Sequence, residues 1–152
     1  MRLRRIALPL AGVLAFAGFI AVVRGAEETP VRLRIEGSTS TLFDGAVEIS
    51  DCTITDSAGV EHTRSNVAAC ALTEAAEASG FTVEFQDFGF GLFLRRIASD
   101  DTPPDYSQSW NFWVNDDPAS VGLDTYTVSA NDYLLLAFAP YPGTPLRVTL
   151  LG

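Results

Sequence analysis

Trp110-Asn111-Phe112-Trp113-Val114-Asn115-Asp116-Asp117 is the stretch whose reading decides the fold. Two Trp and a Phe are interleaved with polar residues, and the run stops at Asn-Asp-Asp-Pro. That pattern predicts a half-buried β-strand ending in a tight reversal. Successive side chains on a strand point to opposite faces. Trp110, Phe112 and Val114 therefore share one face and are the expected core. Asn111, Trp113 and Asn115 share the other. An exposed Trp113 beside the polar turn residues Asn115, Asp116 and Asp117, with Tyr106 nearby, is the expected ligand-binding surface, since Trp combines large contact area with a polar handle. The alternative is that a C-terminal strand or the loop at 98–108 covers Trp113.

The other segments build around this strand. Residues 31–36 alternate apolar and charged and predict a strand. Residues 41–49 predict a second, interrupted near Asp44 and Gly45, and 52–55 a short third. Residues 56–62 read as a loop or hairpin tip. Ser65 or Asn66 is the expected cap of a helix carrying Val67, Ala68, Cys70, Ala71, Leu72, Ala75 and Ala76 at helical spacing, with Gly80 as its stop. Its small side chains allow close packing on a sheet. Further strands are expected at 81–85 and 92–97, separated by a loop with Phe88 and Phe90 exposed. The polar stretch 98–108 is expected as a surface loop. Residues 133–139 are almost continuously apolar and predict a central strand buried on both sides. Residues 146–150 predict a last strand able to add to an edge. About seven short strands and one covering helix make an α+β layout, mostly antiparallel.

Residues 1–25 stand apart. Three arginines precede an uncharged apolar run at 6–23, and Arg24, Gly25 and two acids follow. This reads as a secretory signal peptide cleaved after Gly25, with an uncleaved N-terminal anchor as the alternative. Either reading places the body outside the cytoplasm, secreted or on the outer face of the cytoplasmic membrane. Residues 26–30 read as a linker and 31–152 as one domain. All 19 acidic residues fall after residue 25, against six arginines and no lysine. Such a chain repels nucleic acid and anionic membranes, so any membrane contact is expected through the N-terminal segment. Cys52 and Cys70 are the two cysteines, and in an exported chain they predict one disulfide.

The order of these motifs resembles the C-terminal β domain of transcobalamin and intrinsic factor, and the bacterial exported domains related to it. The residues that carry the likeness are the opening strand at 31–36, the Ala-rich helix around Ala69-Cys70-Ala71-Leu72, and Phe88-Gly89-Phe90-Gly91-Leu92-Phe93-Leu94 leading to Ile97. They continue with Trp110-Asn111-Phe112-Trp113-Val114-Asn115, then Gly122-Leu123-Asp124-Thr125-Tyr126 ahead of Asn131-Asp132. The likeness covers about residues 31 to 139. It implies a β-grasp-like fold, no enzymatic activity and a small ligand of corrinoid type, cobalamin. In the vitamin carriers a large helical barrel shares the ligand, and no stretch of these 152 residues is expected to form one. The alternative function is a cell-surface protein- or glycan-interaction domain.

The inventory of reactive residues points the same way. One histidine, His62, falls in an expected loop, and no Gly-x-Ser-x-Gly elbow is present. A zinc site built from cysteine and histidine would lack ligands. The acids crowding 100–132 lack EF-hand spacing, and Asp in turns bonds its own backbone. No cofactor and no metal are expected.

Overall fold

The computed structural model describes residues 28–140 and 142. Ten strands and one helix occur among them: β1 (Thr29–Glu36), β2 (Thr41–Ile49), β3 (Cys52–Thr55), β4 (Glu61–Arg64), α1 (Ala68–Ser79), β5 (Val83–Asp87), β6 (Leu92–Ile97), β7 (Asp100–Asp101), β8 (Ser109–Val114), β9 (Asp117–Pro118) and β10 (Tyr133–Ala139). They form a five-stranded sheet in the order β2-β1-β10-β8-β9, a β3–β4 hairpin, and a three-stranded sheet β5-β6-β7. The chain is thus mostly β, with one helix and a largely antiparallel pairing pattern. The exception is β1 with β10, which run parallel.

Alternation builds the core. Val31, Leu33 and Ile35 of β1, Val47 and Ile49 of β2, and Leu134 and Leu136 of β10 are buried on one face. Ala68, Ala69, Cys70, Ala71, Leu72 and Ala75 of α1 join the same cluster. Alanine on the inner face brings the helix close, so short side chains suffice to fill the gap. The strand β10 departs from the expectation of two buried faces. Its Tyr133, Leu135 and Ala137 are half-buried, because the helix covers only the opposite side.

The helix start also differs from the sequence expectation. Val67 occupies the N-cap position in extended conformation and gives no side-chain cap. Instead the N–H groups of Ala68 and Ala69 donate to the carbonyls of Tyr126 and Leu123, both at 2.9 Å. Asn66 sits at φ 51° and donates from Nδ2 to Val128 O at 3.1 Å. Distant backbone thus satisfies the orphan donors that a local Ser or Asn usually takes. The other end behaves as expected: Gly80 is left-handed at φ 76° and its N–H returns to Ala76 O. Cys52 and Cys70 form the expected disulfide, with Cα atoms 5.5 Å apart, tying β3 to the helix. The stretch 98–108 contains β7, and Thr102 within it is fully buried. The expected strand at 146–150 and the leader at 1–25 lie outside the described residues. No helix among the described residues is long and apolar enough to cross a membrane.

Candidate binding surface

The Trp strand is β8, hydrogen-bonded to β10 along its length, with Trp113 opposite Leu135 and Phe112 opposite Leu136. Trp110 and Val114 belong to the core, as alternation requires, and Trp113 does not. Trp113 is nevertheless 3% exposed rather than open. Leu135 flanks it on one side and Pro118 of β9 on the other. It lines a cavity of about 190 Å³ together with Asn111, Phe112, Pro118, Ala119 and Pro142. That volume is below the usual span of small-molecule sites, about 300–1,000 Å³. The indole N–H of Trp113 has no hydrogen-bond partner there.

The polar residues expected beside Trp113 are taken up by the turn. Asn115 and Asp116 have φ of 52° and 73°, and Val114 pairs with Asp117. Two residues at positive φ between paired strands make a type I′ hairpin, for which Asn and Asp are favoured. Asn115 donates from Nδ2 to Asp132 Oδ1 at 2.8 Å and accepts from Tyr133 N at 2.9 Å. Asp132 also accepts from Ser129 N at 2.8 Å and from the Tyr126 hydroxyl at 3.1 Å. Burial and this hydrogen bond raise the Tyr126 hydroxyl above its ordinary pKa. Asp117 is exposed on β9. The Asn115–Asp132 group is a bracket that holds the Trp strand to the start of β10.

Tyr106 is elsewhere. Its ring meets Phe93 of β6 edge-on, with centroids 6.0 Å apart. Phe93 in turn meets Phe88 at 5.9 Å, and Phe88 stacks on Phe90 at 6.0 Å with planes 15° apart. Four rings therefore run in contact from the tip of the β5–β6 hairpin to the 103–107 turn. Phe90 is 89% exposed, Tyr106 49% and Phe88 39%. The sequence marked Phe88 and Phe90 as exposed. Phe93 carried no such signal, and the joining of the three to Tyr106 depends on tertiary packing.

Local structure fixes this surface from both ends. Asp87 Oδ1 accepts from Gly89 N at 2.7 Å, and Phe88 N donates to Gly91 O at 3.3 Å, closing the tip. Gly91 has φ 143° and lies where a Cβ would meet Asp124 Oδ2 at 3.2 Å. That same carboxylate oxygen accepts from Leu92 N at 2.9 Å, which anchors the start of β6. At the other end Asp105 Oδ1 accepts from Ser107 N at 3.1 Å and from its hydroxyl at 2.8 Å. These bonds hold the Asp105 carboxyl below its ordinary pKa. Tyr106 between them sits at φ 54°, an outlier for a bulky side chain that the turn enforces.

His62 is paired rather than solvated. Its Nε2 lies 3.0 Å from Asp56 Oδ2, and the side chain is 16% exposed. The His62 contact, followed by the N–H of Val60, holds the Asp56 carboxyl below its ordinary pKa.

No family model and no curated protein matches the sequence. Solved structures do match in fold. One is haptocorrin in complex with Cbi, with TM-score 0.55 and 16% identity, over 77% of this chain and 26% of that chain. The chain thus spans about a quarter of haptocorrin's length, and a likeness at this identity establishes the fold. Another is a Ruminococcus gnavus ATCC 29149 protein provisionally named metal-binding, with TM-score 0.49 and 14% identity, over 74% of this chain and 98% of that one. That likeness is too slight to argue from.

Proposed function

We propose that this chain is a non-catalytic binding module of β-grasp-like architecture that holds its ligand on the open aromatic surface of Phe88, Phe90, Phe93 and Tyr106. The observation that carries the reading is the contact series of these rings, ending in a Phe90 that is 89% exposed. Exposed rings on a braced scaffold supply apolar area without a large ordering cost, which suits recognition. The ligand class is corrinoid, supported by the fold shared with haptocorrin, whose structure holds Cbi. The Cys52–Cys70 disulfide supports a place outside the reducing cytoplasm.

A second reading is a cell-surface protein- or glycan-interaction domain on the same rings. It is favoured by their openness, with Phe90 89% exposed, and by the small size of the cavity beside Trp113. Calorimetric titration of the purified protein with cobalamin separates the two. Saturable binding that Phe90→Ala abolishes supports the corrinoid module. Absence of heat at high cobalamin removes that ligand and leaves the surface partner.

A further inference from the structure

The β3–β4 hairpin turns at Asp56, whose backbone closes the tip through Asp56 N to Val60 O and Gly59 N to Asp56 O, both 2.9 Å. Asp56 Oδ1 accepts from the N–H groups of Ala58 and Val60, each at 2.9 Å. That leaves Oδ2 aimed at His62 Nε2. The hairpin tip docks on β5 through Ser57 N to Phe85 O at 2.8 Å. This brings Asp87, the last residue of β5, alongside. The ligand-capable atoms of Asp56, His62 and Asp87 all lie within 4.8 Å of one another.

Charge at this corner is unbalanced. Arg32 and Arg34 pair with Asp44, Arg64 with Asp124, Arg95 with Asp101 and Arg96 with Glu84. Among the described residues no arginine reaches Asp56 or Asp87. Two carboxylates converge on one imidazole, and the Asp56 carboxylate is 3% exposed. We propose that Asp56, His62 and Asp87 form a binding site for a divalent transition ion of the zinc class.

The donor set selects the ion. Calcium and magnesium take oxygen ligands, whereas one imidazole with two carboxylates suits zinc and its neighbours. Ligands about 2.0–2.2 Å from a shared zinc ion stand roughly 3 to 3.5 Å from each other. The 3.0 Å between His62 Nε2 and Asp56 Oδ2 already fits. Asp87 is exposed, and with its Oδ1 held by Gly89 N its second carboxylate oxygen is left to close the remaining distance. The ion takes the place of the proton shared between Nε2 and Oδ2, which moves to Nδ1 or leaves to solvent. Three protein ligands leave an open position on the solvent side, where Asp87 stands. Because Asp87 begins the turn to Phe88, the ion also clamps the hairpin tip, but the site is independent of what the rings bind.

The test is a zinc titration of the purified protein by calorimetry, with His62 ring resonances followed in parallel. One ion is expected to bind per chain, to shift the His62 signals and to resist a large excess of calcium. Asp87→Asn, which keeps the oxygen that receives Gly89 N, and His62→Gln, which keeps a hydrogen-bond donor, are each expected to weaken binding by about tenfold or more. No saturable zinc binding, unmoved His62 resonances, or an affinity indifferent to Asp87→Asn would overturn the proposal.

Discussion

The Trp strand and the Phe loop carry similar apolar payloads and meet opposite fates. In β8, Trp110 is 8% exposed and Trp113 3%; at the β5–β6 tip, Phe90 is 89% exposed. The difference lies in what stands beside each ring. β8 is flanked by β10 on one side and by β9 at its end, so Leu135 and Pro118 stand beside Trp113, and Ala119 and Pro142 line the small cavity next to it. The tip of a hairpin has no strand beyond it, and its rings can pack only on one another and on Tyr106. Alternation reveals which face a residue points to. It does not reveal what lies over that face.

The largest expected effect comes from removing the sheltered ring. Trp113→Ala is expected to lower stability by about 3–5 kcal/mol, the range for a buried aromatic reduced to alanine. Denaturant unfolding measures it, and a loss below about 1 kcal/mol would place Trp113 on the surface after all. Next is the bracket that holds the Trp strand. Asp132→Ala strands Ser129 N, the Tyr126 hydroxyl and Asn115 Nδ2, at an expected cost of about 2 kcal/mol.

A smaller effect depends on pH. The Tyr126 hydroxyl ionises above its ordinary 10.0, through burial first and then its bond to Asp132. The folded state therefore holds this proton more tightly than the unfolded chain. The contribution is complete below the unfolded pKa and is lost as pH rises through the raised folded value. Melting temperature is expected to fall above pH 10 in the native chain, and Tyr126→Phe is expected to flatten that fall. The smallest stability effect is expected from Phe90→Ala, within about 0.5 kcal/mol, although the same change is expected to abolish ligand binding.

Much of the scaffold was legible from residues. Period-two runs marked β1 and β8, a nearly continuous apolar run marked β10, and small residues at helical spacing followed by Gly80 marked α1. Cysteine count and compartment gave the disulfide. The cap expected at Ser65 or Asn66 misled because the helix's orphan donors are met by the backbone of Leu123 and Tyr126, which no local pattern encodes. The expected site divided for a similar reason. Asn115 and Asp116 obey turn chemistry, Trp113 is covered, and Tyr106 joins rings that precede it by 13 to 18 positions. His62 read as a lone loop histidine because Asp87 reaches it only through the docking of one hairpin on another.

The most direct test of the aromatic surface is to map cobalamin binding on the protein by NMR, following the phenylalanine and tyrosine rings against the two indole N–H signals. The account predicts saturable shifts at Phe88, Phe90, Phe93 and Tyr106, with the Trp110 and Trp113 indole signals unmoved. Shifts centred on the unpaired Trp113 N–H would contradict it and return the ligand to the cavity beside β8.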